Sequence, residues 1–242
     1  MTLFIKMSVL RLDKFLTSVG IGSRSEVKNY IKAGKILIDG NIVKKADIKI
    51  DTDINEVFFN GKKLMYIEYV YYMLNKPKGV VSATNDNLSV TVIDLIKHNK
   101  HLDLFPVGSL DKDTEGLLLI TNDGELAHNL LSPKKHVNKK YYVELDGILT
   151  KEKALILSNG VNLDDEFTTL PAKVEFTNDS RKVFITIQEG KFHQVKRMFN
   201  AVGLNVTYLK RISMGSLILD NSLTPGKYRE LTVDELKALK GK

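Results

Sequence analysis

The 242-residue sequence contains no cysteine, which excludes disulfides, thiolate zinc centres and a cysteine nucleophile. Tryptophan is also absent. Long apolar runs are missing too: stretches such as Leu117 to Ile120 fall far short of the roughly 20 residues that cross a bilayer. The opening Leu3-Phe4-Ile5 is cut off by Lys6 before it can form the apolar segment of a signal peptide. These absences predict a cytoplasmic protein, in which the Asn-x-Ser/Thr matches at Asn87, Asn178 and Asn205 carry no weight.

What is present is positive charge, unevenly placed. Lys plus Arg number 36 against 29 Asp plus Glu, and residues 1–50 alone hold ten basic and four acidic side chains. A local excess suits a patch that faces a polyanion, although a solvated basic surface gives the same count. No strongly amphipathic basic helix with bulky aromatics points to a membrane surface.

Periodicity organises that first segment. Leu12, Phe15, Leu16 and Val19 recur at helical spacing, and Gly20 and Gly22 close the helix. Ser23 stands three residues before Glu26, a capping box opening a second helix that carries Val27, Tyr30 and Ile31 and stops at Gly34. Ile36 and Ile38 alternate before the hairpin-type turn Asp39-Gly40. Arg24, Lys28, Lys32 and Lys35 project within an arc of about 80° beside the apolar stripe.

Residues 56–67 read as a connection with a turn at Asn60-Gly61. Beyond them come β-type runs at Tyr69–Leu74, Leu117–Thr121, Tyr141–Leu145 and Val183–Gln188. Helices are predicted at Val92–His98, Glu125–Leu131, Lys151–Leu157 and His193–Val202, with a last one opened by a capping box at Thr232 and Glu235. Strands and helices mix without strict alternation, so the fold class is α+β.

Several chemical patterns fail. Gly20-Ile-Gly22 lacks the third glycine of a dinucleotide loop and lies between helices, and no phosphate-binding loop occurs. Asp111, Asp113 and Glu115 resemble the opening of an EF-hand, but Leu117 to Ile120 occupy positions where oxygen ligands are needed. His98 and His101 with Asp94 and Asp103 read as incidental surface residues, so no metal site is expected. There remains Asp111 on a glycine-bounded loop before an apolar strand. That is a suitable place for a held but accessible nucleophile or base, although spacing alone favours an acidic turn with a solvated face.

At this point the residues resemble a family. Gly108-x-Leu110-Asp111-x-Asp113-Thr114-x-Gly116-Leu-Leu is similar to the catalytic signature of RNA pseudouridine synthases in the branch that modifies ribosomal RNA. Asn75-Lys-Pro77-Lys-Gly79, Lys139-Lys-Tyr141 and Glu189-Gly190-Lys-Phe-His193-Gln194-Val195-Lys196-Arg197-Met198 resemble three further motifs in the right order. Arg11-Leu12-Asp13-Lys14-Phe15-Leu16 through Asp39-Gly40 resembles an S4 RNA-binding domain. The resemblance implies an S4-like domain over residues 8–55, a linker at 56–67 and a catalytic domain over 68–242 built on a mixed, largely antiparallel sheet with flanking helices. The Lys-Phe-His-Gln-Val-Lys-Arg-Met form of the third motif is most similar to the small-subunit (16S) rRNA enzymes of the RsuA family, and 23S rRNA enzymes are the nearer alternative.

What the resemblance implies chemically is isomerisation. The N1–C1′ bond of a uridine breaks, the uracil turns, and C5 joins C1′, with no cofactor and no metal. Asp111 maps onto the essential aspartate, as nucleophile or as base at the ribose C2′. Lys196 maps onto its cationic partner, Tyr141 onto the aromatic that stacks on the base, Val195 onto the residue supporting the base from the other side, and Arg197 onto a neighbouring substrate contact. Arg11, Lys14, Arg24, Lys28, Lys32 and Lys35 would hold structured rRNA by its phosphates. The implied partner is rRNA or a partly assembled small subunit, with no membrane, no obligate protein partner and a monomeric state. Met7 is the start that the resemblance suggests. One departure stands out: the family carries arginine two residues before the aspartate, where this chain has Ser109. Lys112 is the nearest basic residue to stand in for it. The departure leaves a catalytically weakened RNA-binding assembly factor as an alternative, and a hydrolase using Asp111 with His193 as a distant one.

Overall fold

The computed structural model describes residues 9–97, 102–164 and 167–241, so Met7, His98 and His101 lie outside the described residues. The chain forms two compact units, one built on the residues up to Val70 and the other on Tyr71–Ile96 and the chain from Leu104 onward.

In the first unit, β1 (Val9–Arg11) leads into α1 (Leu12–Ser18), and α2 (Arg24–Lys32) follows. Leu12, Phe15 and Leu16 from α1 meet Val27 and Ile31 from α2 in one core with Ile36, Ile50 and Val57. The Ser23 hydroxyl accepts from Glu26 N while the Glu26 carboxylate accepts from Ser23 N at 2.8 Å, so the capping box forms as its spacing predicts. β2 (Ile36–Ile38) turns through Asp39 and Gly40, both at positive φ, into β3 (Asn41–Ile42), and β4 (Lys49–Asp51) pairs antiparallel with β1. Residues 56–67 depart from the expected connection. They carry β5 (Val57–Phe59) and β6 (Lys62–Leu64), a hairpin turning at Asn60-Gly61, and β5 pairs with β2. The reason is apolar: Val57 is 1% exposed and completes the core, so the strand is anchored where a linker would be solvated.

The second unit comprises β7 (Tyr71–Lys76), β8 (Phe105–Pro106), β9 (Glu115–Thr121), α3 (Gly124–Leu131), β10 (Lys139–Leu145), α4 (Lys151–Asn159), β11 (Asn162–Asp164), β12 (Phe167–Thr168), β13 (Lys173–Phe176), β14 (Lys182–Ile187), α5 (Gln194–Ala201), β15 (Val206–Met214), β16 (Leu217–Ile218), β17 (Tyr228–Glu230) and α6 (Val233–Lys240). Its main sheet runs β13-β14-β10-β15-β9-β7-β17, antiparallel throughout except between β15 and β9. This is the mixed, largely antiparallel α+β architecture expected from the sequence. β15, where the sequence predicts no strand, is inserted between β10 and β9. Gly116 makes the β9–β15 approach possible: its φ is +104°, and a Cβ there would lie 2.2 Å from the Arg211 carbonyl oxygen.

The helix predicted at Val92–His98 is absent from its described part, which is a turn. The Asp94 carboxylate accepts from Thr91 N at 2.8 Å and from the Thr91 hydroxyl at 2.9 Å, and such local side-chain bonding replaces a helical turn. Among the described residues no helix is long and apolar enough to cross a membrane.

Candidate active site

Asp111 lies in the loop between β8 and β9, and the end of β7 with the segment after it holds that loop by its main chain. The Lys76 side chain is fully buried, and its Nζ donates to the carbonyls of Asp111 at 3.0 Å, Thr114 at 2.9 Å and Pro77 at 3.1 Å. The Ser82 hydroxyl accepts from Leu110 N at 3.0 Å and donates to Leu110 O at 2.8 Å. Gly79 N donates to Lys112 O at 2.7 Å, and Thr114 N closes the turn onto Asp111 O at 3.0 Å. Burial disfavours the charged form of Lys76 and lowers its pKa to about 8, against the opposing attraction of Asp111, Asp113 and Glu115.

The carboxylate itself faces a cavity of about 260 Å³. Its walls include Ser109, Leu110 and Thr114 from the loop, Tyr141 from β10, Ile187 at the end of β14, Leu209 from β15 and residues 190–195 leading into α5. Tyr141 and Val195 are 7% and 4% exposed and supply apolar wall, whereas Ser109, Thr114, His193 and Gln194 line the rest beside the carboxylate. Lys196 on the first turn of α5 places Nζ 2.8 Å from Asp111 Oδ2 and 2.6 Å from Asp113 Oδ1. Burial opposes the charge of Lys196, but its hydrogen bonds to the two carboxylates outweigh that and raise its pKa. The hydrogen bond from Lys196 in turn lowers the pKa of Asp113. The acidic pair that resembles an EF-hand opening therefore shares an ammonium.

His193 precedes α5 in the left-handed conformation, φ +49°, and its Nε2 is 3.6 Å from Asp111 Oδ1. The structure thus brings together Asp111, Tyr141, Val195 and Lys196. Arg197 does not line the cavity. Its Nη1 donates to the carbonyl of the wall residue Phe192 at 3.4 Å. Lys112, expected to stand in at Ser109, is directed to the Ser89 hydroxyl at 3.1 Å. Sequence reasoning gives Lys76, Ser82 and Asp113 no role in the site. Lys76 left a trace, a lysine closing an apolar run directly before proline, whereas nothing in the sequence distinguishes Ser82.

In the first unit, Arg11, Lys14, Arg24, Lys28, Lys32 and Lys35 are all exposed. Arg11 is paired with Asp13 at 2.8 Å, and Lys35 Nζ sits 5.4 Å from the centre of the Tyr30 ring.

Residues 70–201 match the RNA pseudouridylate synthase family, and residues 10–53 match the S4 domain. The chain belongs to the S4-domain RNA pseudouridine synthases. As a member of these isomerases it is 51% identical over 234 residues to an RNA pseudouridine synthase of Bacillus subtilis (strain 168), YtzG, itself described as uncharacterized, covering 95% of this chain and 98% of the relative. It is 40% identical to a ribosomal small subunit pseudouridine synthase A of Yersinia pestis, over 95% of this chain and 98% of that one. It is 38% identical to a ribosomal large subunit pseudouridine synthase B of Bacillus subtilis (strain 168), over 95% of each. A crystal structure of a pseudouridylate synthase, 38% identical, superposes with a TM-score of 0.67 over 95% of this chain and 99% of that chain. The synthase fold and the S4 fold expected from the motifs are therefore those of the chain.

Proposed function

We propose that this pseudouridine synthase acts on ribosomal RNA and that its substrate is a uridine of 16S rRNA. Relatives named for the small and the large subunit are almost equally similar, so overall identity does not discriminate. What supports the 16S reading is the resemblance of the third motif, Phe192-His193-Gln194-Val195-Lys196-Arg197, to the small-subunit form, and Phe192 and His193 both line the cavity.

The observation that carries the chemistry is Lys196 Nζ at 2.8 Å from Asp111 Oδ2, at a cavity walled by Tyr141 and Val195. Asp111 must be ionised while partly dehydrated, and the adjacent ammonium offsets the cost of burial. The extruded uracil fits between the Tyr141 ring and Val195, with C1′ and C2′ turned to the carboxylate. Asp111 attacks C1′ or removes the C2′ proton as N1–C1′ breaks. The uracil then turns and C5 bonds to C1′ as the Asp111–C1′ bond breaks or as Asp111 returns the proton to C2′; the C5 proton leaves and N1 takes up a proton, so no net redox change or hydrolysis occurs. Arg197 acts at one remove, holding the segment that carries Phe192 and His193. The exposed lysines and arginines of the first unit hold the RNA by its phosphates.

The test is pseudouridine mapping of unmodified 16S and 23S rRNA after incubation with the protein, beside Asp111→Asn. One new site in 16S rRNA, absent with the variant, is expected. A site only in 23S rRNA overturns the substrate assignment, and no site in either, even in a partly assembled subunit, overturns the assignment of Asp111 to rRNA.

A further inference from the structure

Phe192 is the most exposed aromatic side chain among the described residues, at 77% against 44% for Phe176 and 38% for Tyr69. It is a wall residue of the Asp111 cavity. One face of its ring lies flat on the His193 imidazole, with centroids 3.8 Å apart and planes 18° from parallel. The imidazole in turn has Nε2 3.6 Å from Asp111 Oδ1. The backbone is set to hold this pair: His193 is in the left-handed region, and the Arg197 guanidinium fastens the Phe192 carbonyl. Two rings thus form a stack that begins beside the reactive carboxylate and ends in solvent. The outer face of the Phe192 ring is thus free to take another flat ring at the mouth of the cavity.

We propose that Phe192 continues this stack onto a base of the RNA strand that neighbours the extruded uridine. The inference rests on the reading that Asp111 acts on a flipped nucleotide. Extrusion leaves the neighbouring base without its stacking partner. An aromatic face restores that contact whatever the base, since every base has a π-face, so the residue supports extrusion without reading sequence. Ser109, on the same cavity, is too short and has no ring to offer. His193 acts as a backing plate that fixes the angle of Phe192.

The absence of tryptophan supplies the probe. Phe192→Trp in full-length protein that also carries Asp111→Asn places a single indole at the mouth of the cavity, and full-length 16S rRNA transcript is the titrant. We expect saturable quenching of the indole and its protection from acrylamide, while Leu155→Trp, at a position 62% exposed on α4, stays open to acrylamide in the same complex. In otherwise native protein, Phe192→Ala lowers kcat/KM on that RNA about 10- to 100-fold, and Phe192→Tyr stays within about threefold of the parent. The slope of log affinity against log salt is the same for all three, because a stack releases no counterions. An indole that remains accessible in the saturated complex overturns the proposal, as does Phe192→Ala with parental kcat/KM or Phe192→Tyr no better than Phe192→Ala. Protection that rises with protein concentration in the absence of RNA assigns the ring to a second copy of the chain instead, and also overturns it. If the parent forms no pseudouridine in 16S rRNA, the functional reading fails separately, and the acrylamide measurement still decides the stack.

Discussion

Lys76 reaches Asp111 through its main chain: the buried ammonium lies 3.0 Å from the Asp111 carbonyl oxygen, while a different lysine, Lys196, holds the carboxylate 2.8 Å away. Two cations therefore serve one aspartate in separate ways, one by fixing the loop and one by balancing the charge.

The charge-balancing role predicts the behaviour of Lys196→Met. Asp111 and Asp113 lose their shared ammonium, and two carboxylates are left facing each other at a half-buried site. Single-turnover pseudouridine formation is expected to fall by at least about 100-fold, with Lys196→Arg recovering part of the loss. Asp113→Asn, which leaves the Asp111 pair intact on a more exposed side chain, costs less than about tenfold.

The loop-fixing role is tested at Ser82. Ser82→Ala leaves both Leu110 N–H and Leu110 C=O without the hydroxyl that now serves them. An unmet buried polar group costs about 1–3 kcal/mol, so Tm falls slightly while kcat falls about 3- to 30-fold and RNA affinity is unchanged. Equal losses in kcat and in RNA affinity would place Ser82 in binding instead.

Lys76 predicts a pH dependence of stability. Its folded pKa, lowered to about 8, lies below the ordinary lysine value of 10.5 because burial disfavours the ammonium. Between those values the unfolded chain binds the proton more readily, so stability rises with pH across that window and the penalty is fully present below it. Urea unfolding at pH 7.5 and 10 is expected to show a gain for the parent that exceeds that of Lys76→Met by roughly 2 kcal/mol. An identical gain in the variant refutes the assignment.

The first unit predicts salt-dependent RNA binding. Lys28 and Lys32 are exposed on α2, so Lys28→Glu with Lys32→Glu weakens rRNA binding and flattens the log affinity against log salt slope by roughly 0.7–0.9 per lost phosphate contact. Arg11→Ala has a smaller effect, because its guanidinium is already shared with Asp13. Filter binding at two salt concentrations separates these outcomes, and unchanged binding at low salt removes α2 from the RNA interface.

Much of the fold was legible because its signals are local. Ser23 with Glu26 and Thr232 with Glu235 formed the capping boxes their spacing announces, and Asp39-Gly40 made its turn. The misreadings have local causes too. Asn60-Gly61 reads as a turn, but the strands on either side are three residues each, too short for alternation to stand out. Asp94 closed a single turn on Thr91 where an apolar spacing suggested a helix.

By itself, the order of residues determined the capped helices, the glycine turns, the charge of the first segment and the motif series that places the chain among the pseudouridine synthases. Only the tertiary structure decided which groups meet. Lys196 is 85 positions from Asp111 in the chain yet 2.8 Å away in space, β15 is threaded between strands far earlier in the sequence, and Lys76 is turned inward onto carbonyls 35 and 38 residues away. Caps and periodicity follow from bonds within one turn of backbone, and so they can be read along the chain. The partner of a buried ammonium is set by which distant strands pack together, and that follows only once the whole sheet has closed.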